Sequence, residues 1–291
     1  MSRVVANCTY TGAWPIVSSL TAGIDWLTVT ARPGHRAEEL YEWGARLVED
    51  QAQEGFERRA WGWQRYQGWT SGQIAVGERP DGAILRLSGH PADAHFPGAV
   101  RLAGNIARCD LAVTVDGIEP GLDLAGLSME RVGDVPVRRG RPSEWRYIRT
   151  RAHGATLYLG SRQSSRYCRL YDKSAERDRQ HLGGSWRYEV EYKGDVATRL
   201  ARKLVEQRQL ARSVSATVWQ EFKEHGIPPV YPSAGTGLRV RENLTPSDEA
   251  RKLAWLRTQV APTVAWLRDR GRLADVLEAL GLDAGTLGDV Q

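Results

Sequence analysis

Two short segments with a strict two-residue alternation constrain the fold of this chain more than any other feature. Residues 166–173 and 186–193 each alternate polar and apolar side chains, which is the period of a β-strand. Because successive side chains of a strand point to opposite faces, each segment collects its polar groups on one face. Those groups belong to Tyr167, Arg169, Tyr171, Lys173, Arg187, Glu189, Glu191 and Lys193. If the two strands pair as antiparallel neighbours, a phenol, guanidinium groups and two carboxylates share one patch of sheet.

The first part of the chain predicts a strand, a helix and an antiparallel meander, in that order. Residues 23–30 have the composition of a buried strand, and residues 37–53 carry apolar side chains at helical spacing. Three strand-like runs follow, and the turns between them include the hairpin signal Asp81-Gly82. These runs are residues 61–69, 73–78 and 83–88.

The second part of the chain repeats this plan. Residues 108–115 are similar to residues 23–30, and Asp110 takes the place of Asp25 relative to a Val-Thr or Thr-Val step. A less regular segment, residues 124–132, comes before the next strand-like runs. These runs are residues 155–161, 167–173 and 186–193. We therefore predict an α+β fold with an antiparallel sheet core, built from two similar β-rich units.

The region after residue 194 has mostly helical patterns. Residues 196–224 predict helix, and residues 226–241 are rich in proline and glycine, which predicts a loop or hinge. Helical patterns resume at residues 246–260 and 262–280. We therefore predict a core over residues 1–225 and a helical C-terminal region over residues 226–291.

Charge and cysteine content narrow the class of protein. The formal net charge is +5, from 40 basic and 35 acidic residues, which favours a polyanionic partner. The three cysteines are far apart and lack the paired spacing of a zinc site, so we expect a reduced, cytoplasmic protein. The first residues contain no apolar run long enough for a signal sequence or a membrane span. We therefore expect no membrane partner.

Carboxylates on strands are the candidate metal ligands. The six histidines form neither a His-x-His pair nor a His-Glu-x-x-His helix, so a metal would be held by carboxylates. The candidates are Asp25, Asp110 and Glu189, with Glu191 beside them, and each lies in an otherwise strand-like run. Oxygen donors favour Mg²⁺ or Mn²⁺. The alternative for each carboxylate is an ion pair with an arginine, such as Glu189 with Arg169.

A tyrosine with charged neighbours is the candidate nucleophile. Tyr171 shares its strand face with Arg169 and Lys173, and Glu189 is expected across the ladder. Because a free phenol has a pKa of about 10, attack requires cations that favour the phenolate or a carboxylate that takes the proton. These groups suit cleavage of a phosphodiester by a tyrosine. The second and third choices are Tyr158 and Tyr167. The alternative is that Tyr171 is an amphipathic strand residue with a solvated hydroxyl.

Basic and aromatic segments are candidate contacts to a nucleic acid. The loop at residues 160–166 combines backbone donors, hydroxyls and two arginines, which suit phosphate contacts. The helix after residue 194 has a basic face, and residues 62–69 offer aromatic rings that could stack on unpaired bases. The candidate basic residues are Arg162, Arg166, Arg199, Arg202 and Lys203. The alternatives are a polar hairpin turn, a solvated helix face and core aromatics.

Three segments also carry a family resemblance. Residues 154–162, 169–176 and 186–194 resemble the trans-acting replication initiator family of rolling-circle plasmids. Related integrative elements and phages carry similar proteins, some of which act as conjugative relaxases. The similarity extends to further segments in matching order, from about residue 20 to about residue 220. These segments are residues 23–30, 66–68, 76–78 and 108–112.

The resemblance implies a dimeric, metal-dependent DNA nickase. Such an enzyme forms a 5′-phosphotyrosyl link at a replication origin and leaves a free 3′-OH for a polymerase. By this resemblance the nucleophile is Tyr171, and the metal ligands are Asp25, Asp110 and Glu189. The expected partners are origin DNA with a single-stranded or extruded hairpin nick site, a second copy of the chain, and a host helicase. Origin specificity or dimer contacts are expected in residues 226–291.

The sequence therefore predicts an enzyme that nicks and rejoins origin DNA and starts rolling-circle replication. One alternative is a relaxase that uses the same chemistry for conjugative transfer. An alternative from another class is a DNA-binding regulator that keeps the fold without cutting. The presence of Tyr171 and of the carboxylates argues against the regulator, because a degenerate copy would not require them.

Overall fold

The computed structural model describes residues 3–4, 17–63, 65–119, 122–132, 145–150, 154–174, 184–240, 252–253 and 255–279. The chain divides into two compact units, Met1–Arg241 and Glu242–Gln291. The second unit contains a π-helical turn at Leu256–Val260 and two short helices, α6 (Ala261–Arg268) and α7 (Leu273–Ala279). Among the described residues, no helix is both long and apolar enough to cross a membrane.

The first unit is built on one antiparallel sheet. Its described strands are β1 (Arg3–Val4), β2 (Ser19–Ala31), β3 (Arg58–Trp63), β4 (Tyr66–Ser71), β5 (Ile74–Arg79), β6 (Gly82–Ser88), β7 (Asn105–Ile118), β8 (Trp145–Thr150), β9 (Gly154–Leu159), β10 (Arg166–Asp172) and β11 (Gly184–Lys193). Their order across the sheet is β3-β4-β5-β6-β2-β7-β11-β10-β9-β8, with β1 paired to β2. Each pair of neighbours is antiparallel, which confirms the predicted α+β class.

The five helices described in the first unit cover one face of this sheet. They are α1 (His35–Gln53), α2 (His90–Leu102), α3 (Leu124–Val132), α4 (Gly194–Val205) and α5 (Leu210–Glu224). Each contributes apolar side chains to one buried cluster that also contains Tyr188 and Val190 of β11. The ring of Tyr188, for example, meets Phe222 of α5 edge to face, with 5.0 Å between the ring centroids. The residues that alternate with Tyr188 and Val190 therefore face the opposite, open side of the sheet.

The two halves of the sheet have the same topology, as the sequence predicted. Each half runs from a long leading strand through a helix and a four-stranded meander, and the last strand of the meander pairs with the leading strand. The first repeat is β2-α1-β3-β4-β5-β6-α2, and the second is β7-α3-β8-β9-β10-β11-α4. The leading strands β2 and β7 pair antiparallel at the centre of the sheet. An approximate twofold axis between them therefore relates the two repeats.

Several elements differ from the sequence-based prediction. The run at residues 61–69 is a hairpin, with a turn at Arg65 in the left-handed conformation, φ 72°. No glycine or asparagine marks this position, so the turn was not predicted. Helix α2 was also missed because Pro97 lies inside it. Residues 124–132 are helical, and the predicted helix at residues 196–224 is two helices with a break after Val205.

The first unit extends beyond the predicted boundary at residue 225. Residues 227–240 have no regular secondary structure, but Tyr231 is buried beside Tyr188, with 5.5 Å between the ring centroids. The hydroxyl of Tyr188 also accepts a hydrogen bond from the backbone N–H of Val230, at 3.3 Å. The described part of this loop therefore completes the core beneath β11.

Candidate active site

The cross-strand register brings the polar ladder together on the open face. Tyr167 of β10 lies opposite Glu191 of β11, Arg169 opposite Glu189, and Tyr171 opposite Arg187. On the other side of β11, Glu191 lies opposite Asp110 of β7. Residues directly opposite one another share a face of the sheet, so these side chains form one continuous polar patch. We call this patch the reactive cluster, made of Asp110, Arg169, Tyr171, Arg187, Glu189 and Glu191.

Tyr171 has a carboxylate within hydrogen-bonding distance. Its hydroxyl donates to Glu189 Oε2 at 3.2 Å, diagonally across the ladder. Lys173 Nζ lies 5.7 Å from the centroid of the Tyr171 ring, on the same strand face. The side chain of Tyr171 is half-buried, whereas Glu189 is only 2% exposed. A phenol that is reachable from solvent therefore lies between a cation and a buried proton acceptor.

Arg169 lies between two buried carboxylates. Its Nη2 forms an ion pair with Glu189 Oε1 and lies 3.9 Å from Oδ2 of Asp110, which is 1% exposed. Burial lowers the pKa of the Arg169 guanidinium, but Glu189 and Asp110 more than offset this effect and raise it above its usual value. Arg169 is therefore always a cation here, and its second carboxylate contact places Asp110 and Glu189 around one positive charge.

The surroundings of Asp110 disfavour the charged form of its carboxylate. Burial raises its pKa well above the usual value, and the negative charges of Glu189 and Glu191 act in the same direction. Arg108 opposes this shift, because it donates to Asp110 Oδ1 at 2.8 Å and also forms an ion pair with Glu191 Oε2 at 3.1 Å. Three cationic side chains pair with these three carboxylates, those of Arg108, Arg169 and Lys193. The raised pKa of Asp110 nevertheless shows that its charged form is disfavoured, and an added cation would favour that form.

Asp25 reaches the same open face through a β-bulge. The register between β2 and β7 shifts between Ile24 and Trp26, which leaves Asp25 as the extra residue. Asp25 Oδ1 accepts a hydrogen bond from Arg187 Nη1 at 2.6 Å. Burial lowers the pKa of Arg187, yet Asp25, Tyr171 and Glu189 together raise it. Arg187 therefore links the aspartate of the first repeat to the tyrosine of the second.

The oxygen atoms of these carboxylates are ligands of the kind that hard divalent cations prefer. The described residues contain no group of three or more histidine, cysteine, aspartate or glutamate side chains that could hold a metal ion as they stand. Asp110 and Glu189, however, already lie around one cationic nitrogen of Arg169, and all their donor atoms are oxygen. Asp25 is instead paired with Arg187. The arrangement fits a cation between Asp110 and Glu189 better than one held by all three predicted ligands.

The family of the chain follows from its sequence. A family model described as replication initiation factor matches residues 104–280, more than half of the chain. The chain belongs to this replication initiation factor family. The matched region begins just before β7 and includes the whole of the second repeat, with Asp110, Tyr171 and Glu189. Asp25 lies outside it.

A solved structure supports the same fold for this replication initiation factor. The match is to a rolling circle replication initiator protein from Geobacillus stearothermophilus, with a TM-score of 0.52 and 21% sequence identity. It covers 69% of this chain and 84% of that chain. At this identity the likeness concerns the fold. No curated protein matches the chain at a significant level.

The other tyrosines of this region have different partners. Tyr158 and Tyr167 stack on each other, with 5.9 Å between ring centroids, and the guanidinium groups of Arg146 and Arg162 lie over them. Tyr147 donates a hydrogen bond to a carboxylate, that of Asp123, but alternation along β8 places it on the helix-covered face. Tyr171 therefore combines exposure on the open face with a carboxylate acceptor.

The predicted DNA-binding residues are dispersed in the replication initiation factor. Arg162 is exposed in the loop between β9 and β10, beside the open face. Arg166 points to the helix-covered side, where its Nη1 forms an ion pair with Glu221 of α5 at 2.9 Å. Arg199, Arg202 and Lys203 lie on α4, also on that side. Of the five residues, Arg162 alone lies beside the open face, over the ring of Tyr167, and the other four lie on the opposite side of the sheet.

Arg108 is a residue of this site that was not predicted from the sequence. Its guanidinium holds Asp110 and Glu191 together, although the sequence analysis assigned it no role. The available signal was its spacing of two residues from Asp110 on a strand, which places both side chains on one face.

Proposed function

We propose that this replication initiation factor nicks and rejoins origin DNA through a 5′-phosphotyrosyl intermediate, and so starts rolling-circle replication. The observation that carries the proposal is the hydrogen bond from the Tyr171 hydroxyl to Glu189, on an open face with cations on both sides. Membership of the family supports a role in initiating replication. The similar protein from Geobacillus stearothermophilus is a rolling circle replication initiator, which is consistent with the rolling-circle mode.

The first step is attack of the Tyr171 oxygen on a phosphorus of the DNA backbone. The phenolic proton passes to Oε2 of Glu189 along the existing hydrogen bond. The bond from phosphorus to the 3′-oxygen breaks, and solvent protonates that oxygen to give the free 3′-OH. Lys173 and Arg187 lie beside the phenol and oppose the negative charge that develops on it and on the phosphate.

Rejoining is the reverse of this step. A 3′-OH attacks the phosphotyrosyl phosphorus, and the protonated Glu189 returns its proton to the departing phenol oxygen. Because the link to Tyr171 preserves the energy of the phosphodiester bond, the enzyme can join ends without a nucleotide cofactor.

A divalent cation, Mg²⁺ or Mn²⁺, would act as a Lewis acid on the phosphate oxygens. The residues that would hold it are Asp110 and Glu189, with Glu191 close to both. Arg169 would help to hold these carboxylates in place, because it is already paired with Glu189 and lies near Asp110. Asp25, the third predicted ligand, would act on Arg187 and through it on Tyr171.

The partners follow from this chemistry. The substrate is origin DNA that presents an unpaired nick site, because a phenol on a sheet face needs access to a backbone free of its complement. A second copy of the chain, a host helicase, and origin recognition or dimer contacts by residues 226–291 remain predictions. The family match favours replication over conjugative transfer, in which a relaxase would use the same residues.

The test uses supercoiled plasmid that carries the intergenic DNA beside the gene. With Mg²⁺ or Mn²⁺, the protein should convert it to open circles that retain covalently bound protein. EDTA should abolish the conversion. Peptide mapping of the trapped adduct should place the nucleotide on Tyr171. Binding without any adduct, with every candidate DNA and both metals, would favour the non-catalytic regulator.

A further inference from the structure

The open face of the first repeat carries a group of tryptophan side chains around one arginine. Three indoles, those of Trp26, Trp61 and Trp63, surround the guanidinium of Arg86. The distances from its central carbon to the ring centroids are 4.8, 5.6 and 5.9 Å, respectively. Cross-strand pairs place Trp26 opposite Asp110 and Arg86 opposite Thr28, on the same face as the reactive cluster. We call the three tryptophans and Arg86 the aromatic platform.

The helices do not cover this platform. Trp63 is 39% exposed, and its ring stacks on Tyr66 with 6.5 Å between centroids and 12° between planes. Trp61 lies over a glycine of β5, because a Cβ on Gly77 would come within 2.9 Å of its ring. A flat indole on an open sheet offers its second face to solvent, and exposed rings of this kind are the common stacking surface for unpaired bases.

Arg86 carries a charge that its surroundings leave uncompensated. Within the part of the chain that the structure describes, it has no hydrogen bond or ion pair, and the positive charge of Arg108 acts on it. Burial among the indoles and repulsion from Arg108 both lower the pKa of Arg86, yet an arginine remains protonated. A charge held between aromatic rings, beside a second cation, favours an anion from outside.

A cavity next to the platform has the dimensions for a small planar group. Its volume is about 180 Å³, and Trp26, Trp61 and Arg86 form its walls. Thr70, Gln73 and Ser88 supply hydrogen-bonding side chains along it. Ring walls, a cation and several polar groups together suit a nucleobase and its phosphate better than an apolar ligand.

The platform is continuous with the reactive cluster. The guanidinium of Arg108 lies 4.8 Å from the centroid of Trp26 and also donates to Asp110 at 2.8 Å. Strand β2, which carries Trp26, is three strands away from β10, which carries Tyr171. At a strand spacing of about 4.8 Å this distance is roughly 14 Å, and β3, which carries Trp61 and Trp63, is seven strands or roughly 34 Å from β10. An extended single strand of several nucleotides can cross these distances.

We propose that the aromatic platform binds unpaired nucleotides of the strand that is cut, with bases stacked on Trp61 and Trp63 and a phosphate paired with Arg86. This inference deepens the proposed nicking function and rests on it only for the identity of the strand. The platform would hold the single strand so that a phosphate several nucleotides further along it reaches Tyr171. It also selects unpaired over paired DNA, because a base inside a duplex cannot offer its face to an indole.

The chain contains a matched control for this proposal. Trp69 is 38% exposed and lies on the same hairpin as Trp63, but alternation places it on the opposite face, under Arg58. Trp63→Ala and Trp69→Ala thus remove the same side chain at the same exposure from the two sides of one hairpin.

The assay measures binding of a fluorescent thymidine oligonucleotide and of its duplex with an adenosine strand. Trp63→Ala should weaken binding of the single strand by about 5- to 150-fold per lost stacking contact and leave duplex binding unchanged. Trp63→Phe should recover most of the affinity, because a smaller ring still stacks. Arg86→Gln should reduce the slope of log affinity against log salt by about 0.7. Trp69→Ala should match the wild type.

The outcomes separate this proposal from the nicking function. Equal loss in Trp63→Ala and Trp69→Ala, or single-strand affinity unchanged in Trp63→Ala, overturns the platform whether or not Tyr171 forms an adduct. Selective loss in Trp63→Ala supports the platform even if no adduct forms on any DNA. Thermal unfolding of each variant identifies a general loss of structure, and in that case Trp63→Phe decides between stacking and folding.

Discussion

Replacement of Tyr171 by phenylalanine tests the proposed chemistry with the smallest structural change. The variant loses one hydroxyl and keeps the ring beneath Lys173. Glu189 loses the hydrogen bond from the phenol but keeps its ion pair with Arg169. A hydrogen bond of this kind contributes about 0.5–1.5 kcal/mol to the free energy of unfolding. For a unit of this size, the melting temperature should fall by roughly 1–6 °C.

The effect on activity should be much larger, because phenylalanine has no oxygen to bond to phosphorus. We expect the covalent adduct and the nicking of supercoiled plasmid to fall to background, with DNA affinity unchanged. The adduct is measured by denaturing gel electrophoresis with an end-labelled origin oligonucleotide. Tyr158→Phe is the matched control, since it loses the same atom from the same sheet face but stacks on Tyr167 and lies under Arg146. It should nick like the wild type.

Two results would refute this reasoning in different ways. An adduct that persists in Tyr171→Phe and disappears in Tyr158→Phe would move the nucleophile to Tyr158 and leave the wider proposal intact. A melting temperature lowered far beyond the expected range would show that the hydroxyl has mainly a structural role. In that case loss of nicking in Tyr171→Phe would not identify the nucleophile, and only mapping of the wild-type adduct could do so.

Three further predictions follow from the contacts. Glu189→Gln should lower the nicking rate by about 10²- to 10⁴-fold in single-turnover assays, because the amide cannot accept the phenolic proton. DNA affinity should be kept. A wild-type rate would exclude Glu189 as the base. Phe222→Ala should lower the free energy of unfolding by about 3–5 kcal/mol in urea titrations, because the ring is fully buried against Tyr188. A loss below about 1 kcal/mol would contradict this packing. Simultaneous replacement of three α4 cations by alanine should leave cleavage of a saturating single strand unchanged. It should also flatten the salt dependence of DNA binding by about one slope unit per lost phosphate contact. An unchanged salt slope would identify α4 as solvated surface. These cations are Arg199, Arg202 and Lys203.

The reactive cluster was predictable because period-two alternation is a local property. Residues 166–173 and 186–193 place their polar side chains on one face whatever lies around them, so only the pairing of the two strands had to be guessed. The register between them is antiparallel, as predicted, and it brings Tyr171 to Glu189. The duplication could also be predicted from the sequence, because the leading strands carry aspartates at corresponding places in their sequences.

Other features depend on contacts that alternation does not encode. The bulge at Asp25 arises from the register of β2 against β7, which are distant in sequence, and it directs Asp25 to Arg187. The side of the sheet covered by α4 depends on how the helix packs, so the sequence could not show that its basic face lies away from Tyr171. Arg166 was assigned to DNA because its partner Glu221 is far along the chain.

The twofold relation between the repeats has a consequence for any strand that crosses the sheet. An axis between β2 and β7 reverses direction from one repeat to the other, whereas a single DNA strand has distinct 5′ and 3′ ends and no such symmetry. The two halves therefore meet the same strand in opposite polarity and cannot make equivalent contacts with it. In the first repeat, β6 and β5 take the places of β11 and β10, and their open-face residues, Arg86 and Gly77 among them, include no carboxylate and no tyrosine. Because the substrate has a direction, the two repeats need not keep the same residues, and one repeat can lose its catalytic side chains.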